Sequence, residues 1–525
     1  MKRISILIFL VAAVMTSCND YLDINTNPNK PTAVTPELIL PQALAATALV
    51  LNAYNSYGAQ IGGYAANAGG YGGFNETVSY AYTPNNYSNL WPVSYDNLED
   101  YQYIIDQTKG DEANLYFYAV AEIMRVYGFQ LLVDTYNDVP YTEALKGVDV
   151  LTPAYDDAAA VYASLATELD DAIAAINTGK AAVVEPNPID NYDIVFAGDM
   201  DSWIQLANTI KLRLMIRGAG KVTFANTSFD PAGFLTTDAL INPANIDGNP
   251  GYTRDNNRQN PKWNTWGFGY SGSAGNKAWI PTTFVMTFYD GTKLDDPGRG
   301  AATYYQFPST GTNQLGYEST GIPKSPDGSF WYPSDNRVGT AAGDATGVLK
   351  GPDAGFPLFT AAESYFLQAE AVVEGMPIPA GGTAKELFEA GITASFDYLY
   401  QLPDGSHAGD FEADAADYIA ANNSPLVQFD LATTQEQQIE AIITQKYIAL
   451  NMVNSQEGWN EYRRTGYPSI SGTAATQTFA SLASQSSRAD KLPSRILYPS
   501  SEIQYNPDNV PQGVDPFNSL IFWAK

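Results

Sequence analysis

The sequence predicts a mainly α-helical protein, with divergent tetratricopeptide-like helical repeats packed against an irregular, loop-rich lobe. Three observations carry this. Apolar residues recur at helical spacing in paired segments before residue 220 and again after residue 358. Small residues such as Ala369, Ala390, Gly391 and Ala394 stand at contact positions of those segments, as stacked helix pairs require. Between Lys221 and Pro357 the helical period vanishes, glycine, proline, asparagine and aromatics take over, and four of the eight tryptophans are found. The tetratricopeptide period of about 34 residues is not evident, so the array is either divergent or a plain helical bundle.

The chain opens with Lys2 and Arg3, an apolar run from Ile4 to Val14, and Met15-Thr16-Ser17 ahead of Cys18. That run is too short to span a bilayer, and its small-residue boundary makes residues 1–17 a predicted lipoprotein signal peptide. Cys18, the single cysteine in 525 residues, is then the lipid attachment site, followed by a polar tether over 18–35. No later segment reads as a membrane span, so the lipid is the predicted anchor.

Residues 36–220 make the first helical part. Pro36 marks a helix start, and Leu38, Ala45, Leu49 and Ala53 follow at roughly helical spacing as far as Tyr57. Residues 58–90 break all periodicity with Gly62-Gly63-Tyr64 and Gly69-Gly70-Tyr71-Gly72-Gly73-Phe74, which predicts a long aromatic, glycine-rich loop. Helical patterning returns over Trp91–Thr108 and Glu112–Leu132, an antiparallel hairpin joined by Lys109-Gly110-Asp111. Pro153–Ile176 and Asp201–Arg217 repeat the theme. Residues 221–357 form the loop-rich, ligand-binding part, and 358–525 return to helices, Ser364–Glu374 and Ala384–Tyr400 being the clearest.

Composition removes several function classes. A formal net charge of -29 argues against a nucleic-acid partner. The one histidine, His407, rules out histidine-rich zinc sites, and Gly269-Tyr270-Ser271-Gly272-Ser273 lacks the last glycine of a serine elbow. The glycine cluster before Phe74 lacks the Lys-Ser or Lys-Thr that a phosphate loop needs. No cofactor is expected. The 35 tyrosines, 23 phenylalanines and 8 tryptophans point instead to surfaces that meet ligands with alternating apolar and hydroxyl faces, sugars above all.

Four groups of residues then resemble one family. Phe356-Pro357 with Ala362-Glu363-Ser364-Tyr365-Phe366-Leu367-Gln368-Ala369-Glu370-Ala371 resembles a signature of the SusD/RagB lipoproteins. Gln445-Lys446-Tyr447-Ile448-Ala449-Leu450, Gly458-Trp459-Asn460-Glu461-Tyr462-Arg463-Arg464 and Arg495-Ile496-Leu497-Tyr498-Pro499 resemble its later motifs, in order. The resemblance implies a lipid-anchored, cell-surface protein of the outer membrane of a Bacteroidetes bacterium. It also implies a partner, a SusC-like TonB-dependent barrel, to which a captured oligosaccharide or peptide nutrient is delivered without catalysis. Physically, Glu363, Glu370, Arg463 and Arg464 read as buried ion pairs that hold the fold, since buried charges persist when paired.

The expected ligand contacts therefore come from outside those motifs: Trp263, Trp266, Trp279, Tyr304 and Trp331, with Tyr71 and Phe74 from the first loop. Asn264, Arg258 and Lys277 are the candidate hydrogen-bonding groups. A tryptophan at any one position is more often core than platform, and only the clustering in loop sequence marks the group. Two rival classes are weighed. A glycoside hydrolase needs two carboxylates facing each other across a sugar, which adjacent pairs such as Asp295-Asp296 do not indicate. A pure scaffold would not require the aromatic lobe.

Overall fold

The computed structural model describes residues 34–334, 345–379 and 381–525. Cys18, the predicted signal peptide and most of the predicted tether lie outside the described residues. Helices dominate, and the strands are few and short.

The first helical part runs α1 (Pro36–Ile61), β1 (Ala65–Asn67), α2 (Asn75–Ser79), α3 (Leu90–Thr108), α4 (Leu115–Tyr136), α5 (Ala158–Ala181) and α6 (Met200–Arg217). The middle holds β2 (Ala239–Ile241), α7 (Pro261–Trp266), β3 (Trp279–Pro281), α8 (Thr283–Met286), α9 (Pro297–Thr303) and β4 (Phe356–Phe359). The last part runs α10 (Ala361–Glu374), α11 (Ala384–Tyr400), α12 (Phe411–Ala421), α13 (Gln435–Ala449), α14 (Ser455–Thr465) and α15 (Ser500–Tyr505). Strands β1 and β3 pair antiparallel, as do β2 and β4.

Several boundaries move for identifiable reasons. The predicted 58–90 loop is shorter, because α1 continues to Ile61 and the segment also contains β1 and α2. The helix read from Pro153 starts at Ala158, where the Asp157 side chain accepts from Ala160 N at 2.9 Å and caps it. The helix read from Ser364 starts three residues earlier, with Thr360 as its cap. By length and composition α1 would cross a membrane, contrary to the sequence reading that no later segment does. In the fold it is a core helix, with Leu40, Leu44, Ala48, Tyr54 and Ala59 buried.

Helices pack as pairs: α3 on α4, α4 on α5, α5 on α6, and α10 on α11. Gly391 lets α11 approach α10, since a Cβ there would stand 2.7 Å from the Phe366 ring. The two helical parts close on each other where α14 crosses α1. Gly58 meets the Ser455–Gln456 backbone so closely that a Cβ would lie 2.2 Å from Gln456 N.

Glu363 and Glu370 are buried and paired, and Arg464 pairs with Glu370, as the sequence predicts. Arg463 departs from the prediction: it is buried but donates to Asp134 O, Ser494 O and Asn460 Oδ1, and it meets no carboxylate at ion-pair distance among the described residues. Arg213 donates to Gln130 Oε1 at 2.7 Å and to Glu363 Oε1 at 3.1 Å. Arg217 reaches Asp134, Glu457 and Glu461, and Lys446 lies 3.1 Å from Glu461. Arg464 joins Glu370 at 2.6 Å and also Glu461. Burial alone would raise the Glu457 carboxyl, but the Arg213 and Arg217 charges outweigh it and hold the group at about 2. The arrangement ties α4, α6, α10, α13 and α14 into one frame.

Candidate ligand-binding site

The loop-rich part sorts its aromatic side chains into interior and surface. Trp263 and Trp266 lie on α7, whose start is capped by Asn260 Oδ1 accepting from Lys262 N and Trp263 N. Trp263 packs edge-on against Tyr332 at 5.4 Å, and Trp266 against Trp331 at the same distance. Trp266 Nε1 also donates to Ser56 Oγ of α1 at 3.2 Å. Tyr304 packs on Tyr289 and its hydroxyl accepts from Asn451 Nδ2. All four predicted ligand rings (Trp263, Trp266, Trp331 and Tyr304) are at most 2 % exposed. They are core: the tryptophans fill the join between the loop-rich part and α1, Tyr304 is held by Tyr289 and Asn451, and no ligand can reach their faces.

Phe74 and Trp279 are brought together elsewhere, with Tyr71 on the loop that leads into Phe74. β1 pairs with β3 so that Asn67 opposes Trp279, and Phe74 holds the Trp279 ring edge-on at 5.2 Å and 78°. Along β3, Ile280 and Pro281 are buried while Trp279, at the start of the strand, stays half-buried. Tyr71 is 38 % exposed on a turn whose flanking Gly70 and Gly73 have φ of 79° and 83°, conformations that favour glycine.

Asn67, 1 % exposed, organises this face. Its Nδ2 donates to Tyr317 O at 3.2 Å, its Oδ1 accepts from Gly316 N at 2.8 Å, and its carbonyl accepts from Asn313 Nδ2 at 2.8 Å. Tyr317 is thereby fixed beside the β1–β3 ladder with its side chain 48 % exposed. Sequence reasoning missed both residues. Tyr317 stands among glycines with no periodicity around it, and a buried asparagine in a glycine-rich stretch reads as turn material.

On the other side of the Tyr317 turn, closed by Tyr317 N donating to Gln314 O at 3.1 Å, Gln314 lines a cleft of about 520 Å³. Tyr462, Ser471, Thr473, Ser481 and Asp490 complete much of its wall. The three predicted polar residues are exposed but do not converge with the rings by any contact. Asn264 Oδ1 accepts from Gln259 Nε2 at 3.0 Å, Lys277 lies 3.3 Å from Asp327, and the Arg258 carbonyl closes a turn to Thr253 N. His407 is engaged by Asp397 and packs on Phe411, away from this face.

A family model described as "Starch-binding associating with outer membrane" matches residues 28–499 of this chain. The chain belongs to the SusD-like family. Solved SusD structures share its fold over nearly the whole length. A chitin-binding SusD homologue from Flavobacterium johnsoniae is 24% identical, covering 92% of this chain and 98% of that one, with a TM-score of 0.64. A SusD homologue from Bacteroides fragilis is 22% identical, with coverages of 94% and 100% and a TM-score of 0.63. A SusD/RagB family protein from Bacteroides thetaiotaomicron is 19% identical, with coverages of 94% and 99% and a TM-score of 0.66. Comparison with curated proteins gave no match. This SusD-like protein is thus a nutrient-binding protein of the outer membrane and not an enzyme, as its motifs suggested.

Proposed function

We propose that this SusD-like protein captures a neutral oligosaccharide on the face made by Tyr71, Phe74, Trp279 and Tyr317. It then passes the ligand to a SusC-like TonB-dependent barrel in the outer membrane. The observation that carries this reading is the open aromatic face itself: Tyr71 and Tyr317 exposed, and Trp279 half-buried but braced by Phe74. Sugar rings present apolar C–H faces that lie on such side chains, while their hydroxyls need donors and acceptors at the edge. The Tyr71 and Tyr317 hydroxyls supply those at the face, and Gln314, Ser471 and Thr473 supply them in the adjoining cleft. Chitin is what the Flavobacterium homologue binds, and starch is the family's description; both are neutral glycans of this kind.

The test is a tryptophan-fluorescence titration of the soluble protein against neutral oligosaccharides, acidic oligosaccharides and oligopeptides, with mass spectrometry of each ligand afterwards. A saturable response to a neutral oligosaccharide that is recovered intact and is lost in Trp279→Ala supports the proposal. A response confined to peptides would replace the ligand class, and cleaved sugar would overturn binding without chemistry. Delivery is tested separately, by co-purification of a TonB-dependent barrel with the lipid-anchored protein from outer membranes.

A further inference from the structure

Two neighbouring segments keep large apolar side chains in water. Val148 and Leu151 are 87 % and 78 % exposed on the loop between α4 and α5, and Ile503 and Tyr505 are 47 % and 69 % exposed on α15. The loop is not loose chain. Its ends close where Asp156 N donates to Val139 O at 3.0 Å. The Asp156 carboxylate accepts from Tyr141 N and Thr142 N at 2.9 Å, and Glu143 Oε2 accepts from Ala154 N at 2.8 Å. α15 is tied to the same loop: Asn506 Nδ2 donates to Pro153 O at 2.8 Å, Asn509 Nδ2 to Thr152 O at 2.9 Å, and the Tyr155 hydroxyl to Glu502 Oε2 at 2.7 Å. Thr152 follows Leu151 and Asn506 follows Tyr505, so these bonds set the two exposed pairs beside each other. α15 buries none of its own residues. Single exposed apolar side chains are ordinary, but a group of four on segments held by hydrogen bonds marks a contact surface.

The edge of this surface carries one sign of charge. Residues 143–157 and 500–510 hold six carboxylates and a single cation, Lys146, and Asp149, Asp157 and Asp508 are exposed. A second copy of the chain would set these carboxylates against themselves, in a protein whose net charge is already -29. An anionic lipid surface would meet the same repulsion. A protein surface with an apolar centre and lysine or arginine around it matches both the centre and the edge. α15 also begins against the segment that follows Phe74 and α2: Ser500 N donates to Pro84 O at 3.1 Å, and Ser500 Oγ donates to Asn85 Oδ1 at 3.0 Å. A partner seated on α15 therefore borders the stretch of chain that carries Tyr71 and Phe74.

We propose that Val148, Leu151, Ile503 and Tyr505 form the seat of a partner protein whose contact surface is apolar at its centre and basic at its edge. Resting on the reading that the ligand is delivered to a TonB-dependent barrel, this seat has that barrel as its occupant. The apolar centre holds the partner once docked, while the acidic edge steers its approach and excludes surfaces of like charge.

The experiment compares the unaltered lipid-anchored protein with the double variant Leu151→Ser, Tyr505→Ser, each purified from outer membranes in mild detergent, with mass spectrometry of what accompanies it. The unaltered protein should bring a TonB-dependent barrel, in amounts that fall as salt rises. The double variant should bring about tenfold less or below, with its Tm and its tryptophan-fluorescence titration against oligosaccharide unchanged. Asp149→Lys with Asp508→Lys, which leaves the apolar side chains in place, should weaken recovery of the barrel as well. A barrel retained in full by the double variant would overturn the seat and leave delivery standing, whereas a barrel absent from the unaltered protein would overturn both. Should the double variant not fold, full retention by the charge variant overturns the seat. Self-association of the unaltered protein in sedimentation, or its binding to phosphatidylglycerol vesicles, would likewise overturn this occupant if abolished by the double substitution. The oligosaccharide titration fails or succeeds independently of all these outcomes.

Discussion

The tryptophans of the α7 join and the aromatic residues of the Asn67 face come from similar glycine-rich sequence, yet one set is interior and the other is surface. The difference lies in what each is attached to. Trp263 and Trp266 sit on a short helix that docks against α1, with Trp331 and Tyr332 closing over them. Trp279 sits at the start of a two-stranded ladder whose other residues are all buried, and it alone stays half-buried there. Aromatic composition alone therefore does not separate core rings from surface rings; attachment decides which stay accessible.

That comparison can be broken by substitution, and the largest effect belongs to the interior. Trp331→Ala should cost about 3–5 kcal/mol of stability, as large-to-small core changes do, while oligosaccharide affinity per folded molecule stays unchanged. Denaturant unfolding with titration of the folded fraction checks both. Trp279→Ala should do the reverse: Tm is little altered, and affinity falls about tenfold or more, since a large apolar contact contributes roughly 1.5–3 kcal/mol. Asn67→Ala should affect both properties. Its buried side-chain bonds to Gly316 and Tyr317 are lost at about 1–3 kcal/mol, and affinity drops because Tyr317 is no longer held, which unfolding and calorimetric titration would separate. Tyr71→Ala, on its glycine turn, should have the smallest effect, a few-fold loss of affinity worth about 0.5–1.5 kcal/mol with no change in Tm. Loss of binding in Trp331→Ala that exceeds its unfolded fraction would erase the distinction between the two sets.

Much of the fold was legible where helices have one apolar face. The α3–α4 hairpin, α6 and α11 emerged within a few residues of their observed ends. Helix α13 gave no apolar periodicity, because Thr444, Gln445 and Lys446 are buried along with its apolar residues, and α14 was not read as an apolar-faced helix because it buries Gln456, Glu457, Asn460 and Glu461. Their positions were visible only as motif strings. Of the four charges read as ion pairs, Glu363, Glu370 and Arg464 form them, whereas Arg463 donates to backbone carbonyls and Asn460 instead. The binding face was half legible. Tyr71, Phe74 and Trp279 were named from sequence, but the ladder that unites them is three residues per strand, too short for alternation to show.

The crossing of α1 by α14 also bears on how the chain matures. Ser455 N donates to Asn55 Oδ1 across 400 residues, and Tyr64 stacks on Tyr447 at 4.3 Å. α1 gains one neighbour early, since α3 packs on it, but the face that α14 covers stays open until nearly all the remaining chain has followed. Until then its apolar surface is a sticking hazard, the situation in which large proteins depend on chaperones. That face of α1 therefore needs shielding until α14 has been made and has docked on it, and a chain stopped before residue 455 leaves it uncovered.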